Sequence, residues 1–373
     1  MIRYMTAGES HGEALVTIVD GLPAGLRVDR KILDRELARR MAGYGRGGRM
    51  KIERDTAHVL SGIRSGRTIG SPVAIMIKNR DFRIDSLPPI AKARPGHADL
   101  AGALKYDTRD IRDILERASA RETACRVAAG ALAKIFLAEF GIDMLSHVIS
   151  IGPVVARTGG LGFARIRSLA EKSCLRCADP KAERMMKAVI DNAKREGDSL
   201  GGCAEVVVKG APPGLGSHVQ WDRRLDGNIA RALMSIPAVK SVEIGGGFRL
   251  TLVPGSRAHD EIFYAKGRFG HRTNNAGGIE GGMTNGEDIV LRVGMKPIAT
   301  LMRPLSSVNI RTGKKALAQV ERADVVAVPA CGVVAEAAAA LEVANAFSEK
   351  FGGDSVGETA ANFKACARRI KNF

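Results

Sequence analysis

The chain has 373 residues, is 45% hydrophobic, and carries a formal net charge of +17 with a pI near 9.9. That length buries one large core or two ordinary ones, and the charge points to polyanionic partners: nucleic acid, anionic lipid or densely charged small molecules. An aromatic content of 4%, with one Trp and no aromatic residues interleaved with the basic ones, argues against a single-strand binder built on stacking platforms.

Residues 6–12, Thr-Ala-Gly-Glu-Ser-His-Gly, read as a loop feeding a strand over Leu15–Val19, closed by a turn at Gly21–Gly25. His11 there is either a structural histidine near a strand end or a group that a ligand approaches closely across its small neighbours. Asp29 caps a helix with Leu33, Leu37 and Met41 four apart. The helix ends at Arg39 and Arg40 and leads into Gly43-Tyr44-Gly45-Arg46-Gly47-Gly48-Arg49. Its G-x-G-x-x-G spacing is not a dinucleotide fingerprint, which follows a strand and opens a helix; here the order is reversed. The loop is either mobile and presents Arg40, Arg46 and Arg49 to an anion, or a solvated basic surface. Residues 57–79 pattern as a hairpin with a Ser-Gly turn at 65–66.

The stretch from Arg94 to Thr123 is the most site-like. His97 lies beside Pro95 and Gly96, where the backbone turns, with Arg94, Arg117 and Arg121 flanking it. Ser119 with Glu122 reads as a capping box for a helix with the stripe Val127, Ala131, Leu132, Ile135 and Phe136, which places Arg121 near a positive helix end. Beyond it come a strand at 145–151, a helix at about 182–196 ending at Gly197, a strand over Cys203–Val208, a helix over Asp222–Met234, and a hairpin over 239–253. Hairpins mixed with helices argue for antiparallel sheets rather than a doubly wound parallel one.

Gly-Asp-Ser-x-Gly ends a helix twice, at 197–201 and 353–357, consistent either with two similar halves sharing one core or with chance likeness of helix ends. With no low-complexity linker, one domain over 1–373 is expected. Residues 274–286 are too glycine-rich for a helix or strand; their amides either cradle phosphate or only turn the chain. Arg322 and Asp324, two apart on an extended segment, point the same way, into a site or as a surface ion pair. Of the six cysteines, five lie in or beside apolar or helical stretches, suiting reduced thiols. Cys174-x-x-Cys177 lacks the second ligand pair of a zinc site, so no metal is expected. Met1–Thr6 has no apolar core of signal-peptide length and no apolar run reaches membrane-spanning length, which leads to the expectation of a soluble cytoplasmic protein with no membrane partner.

Together these pieces are far more specific than any alone. Gly8-Glu9-Ser10-His11-Gly12, Gly43-Tyr44-Gly45-Arg46-Gly47, Arg94-Pro95-Gly96-His97-Ala98-Asp99, Ser119-Ala120-Arg121-Glu122-Thr123, Gly197-Asp198-Ser199, Asn275-Ala276-Gly277-Gly278-Ile279 and Arg322-Ala323-Asp324 resemble, in order and spacing, the motifs of the chorismate synthase family, from about residue 2 to residue 357. The resemblance implies a lyase that converts 5-enolpyruvylshikimate 3-phosphate to chorismate and phosphate, a 1,4-elimination needing reduced FMN without net redox, at the end of the shikimate pathway to aromatic amino acids. It implies a single large α/β domain with antiparallel sheets sandwiching helices and internal pseudo-symmetry, assembled as a homotetramer. The residues alone lead to mixed antiparallel α/β and a possible repeat; the sandwich comes from the resemblance.

Position by position, the resemblance implies His11 as the acid for the leaving phosphate, His97 as a proton source or charge balance for reduced flavin, and Asp324 as the group assisting hydrogen return. Substrate anions fall to Arg40, Arg46, Arg49, Ser119, Arg121 and Arg322. FMN falls to Arg117, Ala118, Ser119, Pro237, Ala238, Gly281, Lys296, Pro297, Ile298, Ala299, Thr300 and Arg322. Arg40 and Arg46 also match nicotinamide-nucleotide contacts of the family, although they suit substrate anions equally; NADPH enters only as an indirect reductant through a separate flavin reductase. Ala118 stands where many members carry Ser, leaving a backbone contact to flavin there, and Ser241 stands where Gly is usual. Two rivals follow from the charge and the cofactor: a nucleic-acid binder, which salt-dependent DNA retention without flavin binding would favour, and an NADPH-dependent flavin reductase, for which no pyridine-nucleotide module is visible. No nucleic-acid partner is expected.

Overall fold

The computed structural model describes residues 1–47, 54–265, 267–321 and 323–373. Strands β1 (Arg3–Ala7) and β2 (Ala14–Asp20) pair antiparallel with Met5 opposite Ile18. β3 (His58–Val59) and β4 (Val73–Lys78) complete a sheet in the order β1-β2-β4-β3. Period-two alternation decides its faces: Leu15, Thr17, Val19, Val73, Ile75 and Ile77 are buried, while Met5 and Ile18 stay exposed on the other side. A second antiparallel sheet holds β5 (Asp143–Ile151), β6 (Val154–Val155), β7 (Gly202–Lys209), β8 (Val239–Ile244) and β9 (Ile289–Met295) in the order β8-β9-β7-β5-β6.

Helices fill the space between. α1 (Arg30–Met41) starts where Asp29 accepts a hydrogen bond from the Lys31 amide. Ahead of the cavity described below lie two short helices, α2 (Asp99–Lys105) and α3 (Arg112–Ala118). α4 (Thr123–Ala138) packs on β2 and β4, and α1 packs on α4. α5 (Phe163–Lys172) lies on the outside of β5; α6 (Pro180–Glu196) follows it, and α7 (Leu225–Met234) lies on β8. α8 (Val328–Phe351) packs on β5 and β7, and α9 (Val356–Lys371) closes the chain. The layers therefore run sheet, helices, helices, sheet, with α4 against α8 at the centre. That contact is close because residue 130 has no side chain: a Cβ there would lie 2.4 Å from Ala337 Cβ. α8 is apolar and long enough by composition to cross a membrane, and it is almost entirely buried in this core. Five phenylalanines (136, 140, 347, 351 and 363) cluster at the helix ends with ring centroids 4.5–5.7 Å apart. Each buried ring contributes about 1.5–3 kcal/mol.

The same core holds a polar knot. Arg39 Nη1 bonds Glu36 Oε2 at 2.6 Å and Glu336 Oε1 at 2.9 Å, Lys134 Nζ bonds Glu36 at 2.7 Å and also reaches Glu336, and Ser146 Oγ donates to Glu336 at 2.8 Å. Burial pushes the Glu336 carboxyl up, and the Lys134 and Arg39 charges push it further down, to well below the usual range.

Several expectations change. Residues 239–253 are not a hairpin: β8 pairs with β9, and 247–252 form a 3-10 turn. Residues 274–286 do contain strands, Ile279–Glu280 and Met283–Thr284, joined by Gly281 and Gly282 at positive φ. Ser119 caps a 3-10 turn over Ala120–Glu122 by accepting from the Arg121 amide, and Glu122 turns away to Thr6 and Arg126, so no capping box forms. The repeated Gly-Asp-Ser does correspond in structure. The fourth residue of each motif donates its amide beside a parallel bridge, Leu200 to Val325 O and Val356 to Ala24 O. Only the first helix ends on a left-handed glycine cap, Gly197 at φ 70°. All six cysteines are free, and Cys125, Cys177 and Cys331 are buried.

Candidate active site

A cavity of about 580 Å³ opens where loops from both sheets and the helices between them meet. It is lined by the β1–β2 loop, the end of α1, residues 46–47, side chains from 81–87, 94–98 and 112–123, residues 236–238 and 295–300, and the start of α8. Both sheets turn the ends of their strands toward it.

His11 reaches it from the β1–β2 loop, which Asn79 braces by donating to the carbonyls of Glu9 and Gly12. The His11 amide donates to Glu116 Oε2 at 2.7 Å, and ring Nδ1 lies 3.0 Å from both Glu116 oxygens. Ring Nε2 faces Asp81 Oδ2 at 3.9 Å. His97 sits in the 94–97 turn with Nδ1 2.5 Å from Asp99 Oδ1. Arg94 bonds the same carboxylate through Nε (2.8 Å) and Thr300 through Nη1 (2.8 Å). Lys296 Nζ donates to Gly96 O, so the 296–300 segment clamps the histidine turn. Burial raises the Asp99 carboxyl, but hydrogen bonds from His97 and Arg94 outweigh it and leave the group well below the ordinary carboxylate range. The Glu116 carboxyl is likewise raised by burial and lowered further by His11.

The arginines arrive in pairs around buried acids. Arg40 Nη1 (3.4 Å) and Arg121 Nη1 (2.7 Å) share Asp55 Oδ2, and Arg40 also donates to Thr123 Oγ1 and Ala120 O. Burial, with Arg121 and Arg46 nearby, brings the Arg40 guanidinium down to about 10 against the pull of Asp55. Arg46 pairs with Asp324 at 2.9 Å, and the Gly47 amide donates to the same carboxylate at 2.6 Å. The first part of the glycine loop is thus packed down: Tyr44 Oη bonds Asp191 at 2.8 Å, and the Val325 amide donates to Gly45 O. Arg49 and the rest of the loop lie outside the described residues, as does Arg322.

Most of the expected residues meet. His11, His97, Asp324, Arg40, Arg46, Ala118, Ser119, Arg121, Pro237, Ala238, Lys296, Ile298, Ala299 and Thr300 all line the one cavity. Pro297 is carried between lining neighbours. Two do not reach it: the Arg117 guanidinium donates to Thr6 O on β1 and to Gly8 O just after it, and Gly281 lies in the 279–284 hairpin against His218. Sequence reasoning missed Asp81, Arg83, Arg112 and Glu321 on the lining, and Asp55 and Glu116 behind it. Nothing local marks those two acids as site residues: Asp55 is held by Arg40 and Arg121, 15 and 66 residues away, and Glu116 holds His11, 105 residues away.

Among the described residues, seven cationic side chains (Arg40, Arg46, Arg83, Arg94, Arg112, Arg121 and Lys296) line the cavity against three acids, Asp81, Glu321 and Asp324. One wall, from Ile236 through Ala238 with Met295, Ile298 and Ala299, is apolar. Two carboxylate-backed histidines beside a cationic, half-apolar cavity make an enzyme site for a small polyanion. The chorismate synthase family model matches residues 2–347. Chorismate synthases of Symbiobacterium thermophilum and Geobacter metallireducens are 57% and 52% identical to this chain, over 99% and 100% of both partners in each comparison. A crystal structure of a chorismate synthase superposes with a TM-score of 0.84 at 43% identity, covering 100% of this chain and 99% of that one. The chain belongs to the chorismate synthase family.

Proposed function

We infer that this protein converts 5-enolpyruvylshikimate 3-phosphate to chorismate and phosphate with the help of reduced FMN, the last step of the shikimate pathway. The carrying observation is the excess of cation on the cavity wall. The substrate brings two carboxylates and a phosphate, and flavin brings another phosphate; such a load of anions in a partly dry site needs that many donors. Arg40, Arg46 and Arg121 offer planar forks to carboxylate and phosphate, with Arg49 and Arg322 as further candidates.

The lining fits a flavin. Ile236, Pro237, Ala238, Met295, Ile298 and Ala299 give the apolar surface a ring system needs, with Lys296, Thr300, Ser119 and the Ala118 backbone at its edge. Reduced FMN, when bound, would lend an electron that weakens the allylic C3–O bond and take it back, so that no net redox results. His11 holds the proton for the departing phosphate. His97, backed by Asp99, balances charge beside the cofactor, and Asp324 assists as the hydrogen leaves C6. The packed glycine loop over 43–47 keeps water away from these groups.

One domain over the whole chain is consistent with a buried apolar cluster running from Ile2 to Phe351. Homotetramer assembly, with dihedral symmetry, is consistent with apolar side chains left exposed: Met5 and Ile18 on the outer face of the first sheet, and Tyr264 and Phe269 on the 262–271 hairpin. A monomer by light scattering at micromolar concentration would count against it. The protein works in the cytoplasm on flavin reduced elsewhere, by a separate reductase that uses NADPH. A flavin titration tests the reading: FMN quenches on binding and binds more tightly with substrate present, whereas a protein that ignores flavin in both conditions has another function.

A further inference from the structure

We propose that Glu116 is a positioning residue for the reaction: it fixes the tautomer and direction of the His11 ring so that Nε2 alone exchanges a proton with the cavity. The proposal rests on the functional reading above for what that proton does, but not for where it sits.

Glu116 lies on α3, 105 residues from its partner, and its side chain is 1% exposed. It is absent from the cavity lining, while Arg112 and Leu115 of the same helix are on it. Its hydrogen bonds outside α3 go to one loop. Oε2 accepts from the His11 amide at 2.7 Å, both oxygens lie 3.0 Å from His11 Nδ1, and the Glu116 backbone carbonyl accepts from the Ser10 amide at 3.0 Å. Arg112 Nη1, 3.6 Å from Oε1, faces the carboxylate from one turn earlier. From the other side, the His11 carbonyl accepts from the amides of Arg83 and Ile84, so the residue is held by its backbone on both flanks.

The tautomer follows from donor and acceptor counting. An ionised carboxylate has no hydrogen to give, so at 3.0 Å the ring nitrogen facing it must be the donor, and Nδ1 carries hydrogen. The low position of the Glu116 carboxyl agrees with its being ionised at neutral pH. Nε2 is then the ring atom whose proton can change hands, and it points to the side where Asp81 lines the cavity. A ring free to flip or to change tautomer would present Nδ1 or a carbon there for part of the time. His97 is backed by Asp99 in the same manner, but from two residues away in its own turn. Glu116 instead ties a catalytic loop to a distant helix.

Glu116→Gln separates this role from simple packing. The amide keeps the shape, yet its NH2 can donate to Nδ1 and so admit the other tautomer. The expected result is a kcat lower by about 10²–10⁴-fold, as for loss of a correctly held acid–base histidine. KM and flavin affinity are expected to stay within about threefold. Solid-state 15N spectra of histidine-labelled protein at alkaline pH, with the His11 signal assigned through His11→Asn, are expected to place hydrogen on Nδ1 in the wild type and on Nε2 in the variant. Wild-type kcat in Glu116→Gln overturns the proposal, as does a wild-type His11 protonated on Nε2 alone. If the variant fails to fold, the wild-type spectrum decides by itself. A wild-type protein that makes no chorismate sinks the functional reading, and leaves the tautomer to the spectrum.

Discussion

Two groups of buried charge lie close together in this molecule and do opposite things. In the core, Arg39, Lys134 and Arg176 meet Glu36, Glu171 and Glu336, and each charge has its counter-charge within hydrogen-bond reach. In the cavity, cations outnumber acids on the lining. Arg39 and Arg40 are neighbours in sequence, and a helix turns about 100° between them, enough to send one into each group. The neutralised knot ties α1, α4 and α8 together; the cavity arginines have acid partners as well, but they line an open space that an anion can enter. Pairing alone does not separate the two groups, since Arg40 and Arg121 pair with Asp55, Arg46 with Asp324 and Arg94 with Asp99; what sets these arginines apart is that they also line the cavity.

The largest expected effects are catalytic. His11→Ala and His97→Ala should each lower turnover by about 10²–10⁴-fold while moving flavin affinity much less; near-full activity in His11→Ala would make it a structural loop histidine. On the core side, Glu336→Gln removes one of the two buried carboxylates that hold Arg39 and Lys134, leaving Glu36 alone between them, and should destabilise the fold by ~3–5 kcal/mol in denaturant unfolding. Its folded fraction should keep normal kcat, and a specific loss of kcat would erase the distinction between the two groups. Arg40→Lys keeps the charge but loses the fork, so KM for substrate should rise about 10–100-fold with a smaller change in melting temperature.

Acid should affect both groups. The folded-state values of Asp99 and Glu336 lie below their unfolded ones, so the stability they contribute is complete above the ordinary carboxylate value of about 4 and is lost as pH falls below it. Melting temperature should therefore drop through that range, and a flat profile from pH 6 to pH 3 would contradict the pairing. The smallest effects belong to His58, His218 and His259, which lie off the cavity; alanine there should leave kcat within twofold. His147 is different, since it is buried with Nε2 3.0 Å from Glu205, and its replacement should cost about 1–3 kcal/mol of stability without touching turnover.

What was legible in the sequence was local. Asp29 at a helix start, Gly197 at a helix end and the Ser-Gly turn at 65–66 act through neighbours a few residues away, and all stand where expected. The antiparallel character followed from hairpin spacing. What failed was non-local pairing: β8 looked like one arm of a hairpin because Gly245–Gly247 follows it, but its partner is β9, beyond an inserted hairpin. No motif singles out Asp55 or Glu116, and only folding shows that one neutralises Arg40 and Arg121 while the other holds His11. The motifs carried the lining; the buried acids behind it carry no motif. Arg117, in the same stretch, sends its guanidinium to Thr6 and Gly8 rather than onto the lining.

The central claim is that the cavity uses flavin without consuming it, and counting turnovers per flavin tests it most directly. Enzyme given sub-stoichiometric, dithionite-reduced FMN under strict anaerobic conditions should release many chorismates per flavin with no oxidised flavin accumulating. Oxidised FMN without reductant should yield none, and NADPH alone should not rescue it unless a separate reductase is added. One flavin oxidised for each chorismate formed would contradict the account and make the protein an ordinary oxidoreductase.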